Sequence, residues 1–226
     1  MADSGQIGTG TVEADTVRAR MRAVGANWPR SDGLAVFHRM HLAVAEASGA
    51  AEPAPLEFRL AERYFAALDA VRHGHRAPAA WRPLFQYRHH PGVRPLQFAL
   101  AGLNAHIGYD LVLAVVDTCH GSGCEPAAVE GEFDRLGDRL AALEERIVED
   151  LAPDPELLQI ADPLTHLLGG WNLERARDAA WSAARVLCGL RELPDLAEEF
   201  RRRTDAGAGL VGHCLLTPWR RPPGTR

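Results

Sequence analysis

The segment PLQFALAGLNAHIGYDLVLAVVDTC, residues 95–119, decides the fold. It is apolar on nearly every side, which is the pattern of a helix surrounded by other elements rather than of one lying on a surface. A strand of this length would far exceed the usual range, and β-branched residues are scarce before Val112. The reading is therefore a buried central helix that starts at Pro91 or Pro95 and carries Asn104, His106, Asp110 and Asp117 into the core. At about 100° per residue, His106, Asp110, Leu113 and Asp117 share one stripe, continued upstream by Gly102 and Ala99. Asn104 falls on nearly the opposite face, so it is not a partner of His106.

Helical patterns flank this segment on both sides. Val12–Val24 reads as a first helix ended by Gly25. A second runs over Gly33–Ala47, capped by Ser31 or Asp32, with Phe37, His41 and Val44 on one stripe and Leu34, His38 and Leu42 beside it. After the linker Glu52–Pro55, a third runs to about Val71 with Leu56, Leu60, Tyr64, Phe65 and Leu68 at helical spacing. Arg72–Ala80 is a loop and Trp81–Tyr87 a short helical or irregular piece. Downstream of Gly121-Ser-Gly123, a strongly amphipathic helix from Glu125 or Pro126 to Leu151 shows a seam of Val129, Phe133, Leu136, Leu140, Leu143, Ile147 and Leu151. Glu156–Leu168, a helix kinked or restarted at Pro163, brings Asp162 and His166 one turn apart. Asn172 caps a helix to Leu190, Pro194 starts a short charged helix to about Arg203, and Ala206–Leu216 is a final apolar one. The expectation is an all-α, single-domain bundle of about eight or nine helices: a flexible N-terminus over 1–11, the helical domain over 12–217 and a disordered Pro/Arg tail over 218–226.

The chain has 226 residues, enough for one large core. Its net charge of −5 disfavours nucleic acid as a partner, because phosphate binding wants a dense basic face. Every side-chain cation of the Lys/Arg pair is Arg, which together with the Ala, Gly and Pro content is the mark of GC-rich codon usage in a bacterium. No apolar run free of polar interruption is long enough to predict a membrane span, and the N-terminus has no apolar signal core, so the cytoplasm is the default location. Cys119, Cys124, Cys188 and Cys214 read as free thiols rather than a disulfide framework. His120 between Cys119 and Cys124 suggests half of a metal loop, but no second Cys/His pair follows at zinc-finger spacing.

Buried carboxylates and imidazoles need partners or a cavity. His106 and Asp110 stand one helical turn apart, so the carboxylate can fix the imidazole tautomer and raise its basicity, as a general base requires. They are the candidate catalytic pair. His38 and His41, three apart on the second helix, and Asp117 are further candidates, and with His106 and Asp110 they form the candidate metal ligands. Ahead of the central helix, Gln86-Tyr87-Arg88-His89-His90 gathers donors where an anion would meet the helix dipole. Tyr87, Arg88, His89, His90 and Asn104 are the candidate substrate-binding residues. Glu-x-x-His and His-Glu-x-x-His motifs, a Walker loop, a dinucleotide fingerprint and a Gly-x-Ser-x-Gly elbow are all absent. No particular cofactor is implied.

The strings Phe85-Gln-Tyr-Arg-His-His-Pro-Gly92 and Gly102-Leu-Asn-Ala-His-Ile-Gly-Tyr-Asp-Leu111 resemble an uncharacterised family of helical proteins from high-GC bacteria with a Gly-Leu-Asn-Ala-His-Ile-x-x-Asp-Leu motif. Asp178-Ala-Ala-Trp181 is similar to a later helix of that family, and the likeness spans about Asn27 to Leu190. The resemblance implies that Asn104, His106 and Asp110 belong to the family pattern, and it brings no activity with it.

The expected function is a small-molecule enzyme, of specialised metabolism, using His106 as acid/base and Asp110 as its orienter for cyclisation, isomerisation or elimination on a mostly apolar substrate. One alternative is a non-catalytic binding or interaction protein whose polar stripe fixes helix register and whose Val129–Leu151 seam serves a partner. The other is a metal-dependent oxidase or hydrolase, which needs at least three converging ligands.

Overall fold

The computed structural model of the chain describes residues 7–47, 54–151 and 172–218. Among them every regular element is helical: α1 (Ile7–Gly25), α2 (Gly33–Ala47), α3 (Pro55–Arg72), α4 (Arg82–Tyr87), α5 (Pro95–Ser122), α6 (Glu130–Leu151), α7 (Leu173–Gly189) and α8 (Pro194–Leu215). The expected Glu156–Leu168 helix, with Asp162 and His166, lies outside the described residues.

α5 is the axis of the bundle. Helices α2, α3, α6, α7 and α8 all pack on it. By length and composition α5 could cross a membrane, yet 94% of its most apolar window is buried by the other helices, as befits a core helix. Its first turn is closed by Gln97, which lies buried in the core. The Gln97 side-chain carbonyl accepts from Arg94 N–H at 2.9 Å, while its amide donates to the carbonyls of Leu215 (2.7 Å) and Thr217 (2.9 Å). One buried amide thus satisfies orphan groups at the start of α5 and the end of α8. At its other end Gly123 adopts the left-handed conformation (φ 61°) and Cys124 N–H reaches the Cys119 carbonyl at 3.0 Å, a Schellman stop.

The middle of α5 departs from α geometry. His106–Leu111 is a π-helical turn between the α-helical halves Pro95–Ala105 and Val112–Ser122. Regular 3.6-residue periodicity cannot foresee such a turn, and π turns are rare and concentrate at functional sites. Even so, the expected stripe survives on the α3 side, where Asp110 and Leu113 line a cleft beside Arg63 and Asp117 binds Arg63 itself.

Three expectations change. The first helix begins at Ile7 rather than Val12 and takes in part of the stretch 1–11. The break predicted between Arg203 and Ala206 is absent, and α8 runs unbroken from Pro194 to Leu215. One of its glycines is required by packing: a Cβ on Gly209 would stand 2.5 Å from the Ala79 carbonyl oxygen, so only glycine there lets α8 approach that loop. The α6 seam is not a partner surface either. Val129, Phe133, Leu136, Leu140, Leu143 and Ile147 are all buried within this chain.

Candidate functional site

The π turn places His106 and Asp110 where α2, α3 and the loop before α4 converge on α5. His106 is 1% exposed and enclosed by rings: His41 at 4.7 Å between centroids, Phe37 at 5.9 Å, Tyr64 at 6.0 Å and Trp81 at 6.5 Å. Gly102, one turn earlier, makes room for this cage, because a Cβ there would lie 2.3 Å from Cγ of Phe37. His106 Nδ1 stands 3.3 Å from Asp110 Oδ2. Trp81 Nε1–H donates to both oxygens of Asp110, at 3.2 and 3.0 Å.

Burial governs the protonation of the pair. It pushes His106 down from 6.5 to about 3 and holds the Asp110 carboxyl well above its usual range, against the opposing pull of Trp81 and Arg63. The expected rise in imidazole basicity is therefore reversed, since desolvation of the ring dominates. Two neutral groups this close arrange themselves with the acid O–H donating to Nδ1 and the imidazole proton on Nε2. That Nε2 is buried without a hydrogen-bond partner, and so is Nδ1 of the adjacent, half-buried His41. His41 is also driven well below its ordinary value by burial and then by its histidine neighbours.

His38 sits differently. Its Nε2 lies 2.8 Å from the Met21 carbonyl, which can only accept, so Nε2 carries the proton and Nδ1 accepts from Tyr64 O–H at 2.7 Å. Both of its nitrogens are engaged, and it does not join His41 as a ligand pair. Asp117 lies further along α5 in a two-pronged ion pair with Arg63 (2.6 and 2.5 Å). Among the described residues no three metal-binding side chains converge.

Asn104 faces away from His106, as its helical position requires, and donates to the Ala208 carbonyl of α8 at 2.9 Å. The Tyr87–His90 stretch is taken up in holding its own loop. Arg88 binds the buried Asp32, which caps α2 by accepting from Leu34 N–H at 3.0 Å. His90 Nδ1 accepts from Gly92 N–H at 3.0 Å, Tyr87 packs against the rings of His90 and His213, and His89 is exposed.

Asp110 has a second face. Itself only 1% exposed, it forms part of the wall of a surface cleft of about 430 Å³ between α3, the loop at 76–78, α5 and α8, whose wall also includes Ala66, Ala67 and Leu113 and whose other polar residues are Arg63, Arg76, Tyr109, Arg201 and Asp205. Arg201 donates to Tyr109 Oη at 2.7 Å and to both oxygens of Glu198. Asp205 accepts from Ala79 and Ala80 N–H at 2.8 and 2.9 Å, and so fixes the loop that delivers Trp81. Arg76 is exposed and makes no ion pair among the described residues. His106 does not line the cleft.

Sequence reasoning missed Trp81, Arg63, Arg76, Tyr109, Arg201 and Asp205. Trp81 alone left a signal: a tryptophan N–H seeks an acceptor when buried, and the carboxyl of Asp110 has room for a donor besides His106. No curated protein and no solved structure matches the chain. A family model does match, over residues 14–218, and it shows that the chain belongs to DUF5995, a family of unknown function.

Proposed function

We propose that the protein is a proton-transfer enzyme acting on a small carboxylate with an apolar body, and that Asp110, rather than His106, is the group that meets the substrate. One observation carries this reading: a carboxyl biased by burial towards its protonated form lines an open cleft and is backed by a neutral imidazole. Such an acid can protonate a developing enolate or carbanion, and its conjugate base can take the proton back. His106 accepts the acid's hydrogen bond and steadies whichever form is present. Arg76, free of ion pairs among the described residues, suits the substrate's carboxylate, and the alanines of α3 with Leu113 suit its hydrocarbon part. Isomerisation and elimination next to a carbonyl fit this set of groups. A bacterium with GC-rich codon usage, inferred from the arginine-only basic content, is the source we assign it.

The test is deuterium uptake from D2O by a panel of small 2-oxo and 3-oxo carboxylates, followed by proton NMR. The reading expects catalysed exchange of at least one compound, a loss of roughly tenfold or more in Asp110→Asn with the fold intact, and a raised KM in Arg76→Ala. Saturable, Arg76-dependent binding without exchange would favour a binding protein instead, a second reading that the open arginine-bearing mouth supports. Neither exchange nor binding would defeat both.

A further inference from the structure

Three of the four cysteines meet at one point, far along α5 from the cleft residues. The Schellman stop of α5 folds Cys124 back over Cys119, since that motif brings the residue after the glycine onto the last turn. The C-terminal end of α7 delivers Cys188 to the same place. Cys124 and Cys188 both stand close enough to Cys119 to act on its thiol. Cys119 and Cys188 are buried, Cys124 is half-buried, and Cys214 stands exposed elsewhere on α8. The Arg191–Glu125 ion pair (2.7 Å) bridges the two chain segments that follow these helix ends.

We propose that Cys124 and Cys119 form a hydroperoxide-oxidisable dithiol site. Cys124, half-buried, is the member of the trio that oxidant reaches, and the buried Cys119, held beneath it by the backbone hydrogen bond of the Schellman stop, is the resolving thiol. The Cys124 thiolate attacks one oxygen of a hydroperoxide and breaks the O–O bond. Its sulfur becomes a sulfenic acid, and the other oxygen leaves as an alcohol or water after protonation. The Cys119 sulfur then displaces the sulfenic hydroxyl, the S–S bond forms, and the thiol's proton departs with that hydroxyl as water. Two thiols supply the two electrons that reduce the peroxide. Burial pushes Cys119 up to about 12, so it stays a thiol until the sulfenic acid is beside it, which suits a resolving rather than an attacking role.

The test treats the reduced full-length chain with small excesses of hydrogen peroxide, blocks remaining thiols with a maleimide and maps each cysteine by mass spectrometry. A Cys119–Cys124 disulfide, two hydrogens lighter than the dithiol, should accumulate roughly tenfold faster than any oxidation of Cys214. Cys124→Ser should abolish it, and Cys119→Ser should leave a sulfenic acid at Cys124 that dimedone captures. Because Cys119 is buried and its serine variant can fail to fold, the native chain and Cys124→Ser decide the matter by themselves. Oxidation confined to Cys214, or a disulfide that forms no faster in the folded chain than in urea, would overturn the proposal.

Discussion

Replacing Asp110 with Asn should steepen the response of the fold to acid. If Asp110 is a neutral acid, asparagine is its near-isostere: its carbonyl accepts from Trp81 and its amide donates to His106 Nδ1. At pH 7 the variant should therefore be at least as stable as the wild type, which must hold a proton that the unfolded carboxyl would release. On acidification the two diverge. His106, with a folded value of about 3 against 6.5, contributes stability that is complete above pH 6.5 and is lost as pH falls towards 3. At about 1.4 kcal/mol for each pH unit, this loss amounts to about 3 kcal/mol between pH 6.5 and 4. The lowered values of His41 and His38 act in the same direction. Asp110 opposes them, because a raised carboxyl contributes most below the unfolded value of 3.8 and loses that contribution as pH rises through its folded value. The wild type thus carries two slopes that offset each other, and Asp110→Asn removes only one. His106 keeps its low value in the variant, since burial alone causes it. Urea unfolding monitored by circular dichroism at pH 7, 6, 5 and 4 should show the variant losing about 3 kcal/mol or more and the wild type distinctly less. A variant several kcal/mol weaker at pH 7, with a flatter acid profile than the wild type, would refute the neutral-pair assignment, since that is the behaviour of a buried carboxylate stripped from an ion pair.

Other consequences follow from the same geometry. Gly102→Ala forces a methyl into Phe37, and overpacking of about 1–3 kcal/mol should outweigh the helix-propensity gain of about 1 kcal/mol, so thermal unfolding should move down by a few degrees. Asp205→Ala strips the acceptors from Ala79 and Ala80 N–H and should cost about 1–3 kcal/mol in urea unfolding, with a change in near-ultraviolet dichroism as Trp81 loses its seat. Arg76→Ala, at an exposed position, should leave stability within about 0.5 kcal/mol while weakening carboxylate binding in calorimetry.

Much of the scaffold was legible because local chemistry marks it. The boundaries of α2 agree with the Asp32 cap and the apolar stripe, α3 begins at its first-turn proline, and α7 begins after the Asn172 cap, which accepts from Arg175 N–H at 2.9 Å. The opposition of Asn104 to His106 followed from helical angle alone. The continuity of α8 was not legible, because glycine-rich sequence signals a break unless a distant carbonyl, here that of Ala79, requires the missing side chains. The π turn was equally hidden, since no propensity distinguishes it from the α-helix on either side. The division of labour in the site escaped for a related reason. Periodicity placed His106 and Asp110 together but could not say which of them would be walled in by Phe37, Tyr64 and Trp81 and which would border a cleft built by α3 and α8.

The most direct test of the central claim is the protonation of Asp110 itself, read from the carboxyl carbon-13 resonance of labelled protein, assigned by its absence in Asp110→Asn, and followed from about pH 4 to 8. The account predicts a resonance at the shift of a protonated acid that persists well above the usual carboxylate range and moves when a carboxylate ligand occupies the cleft. A resonance that titrates near pH 4, or that ignores the cleft, would contradict it.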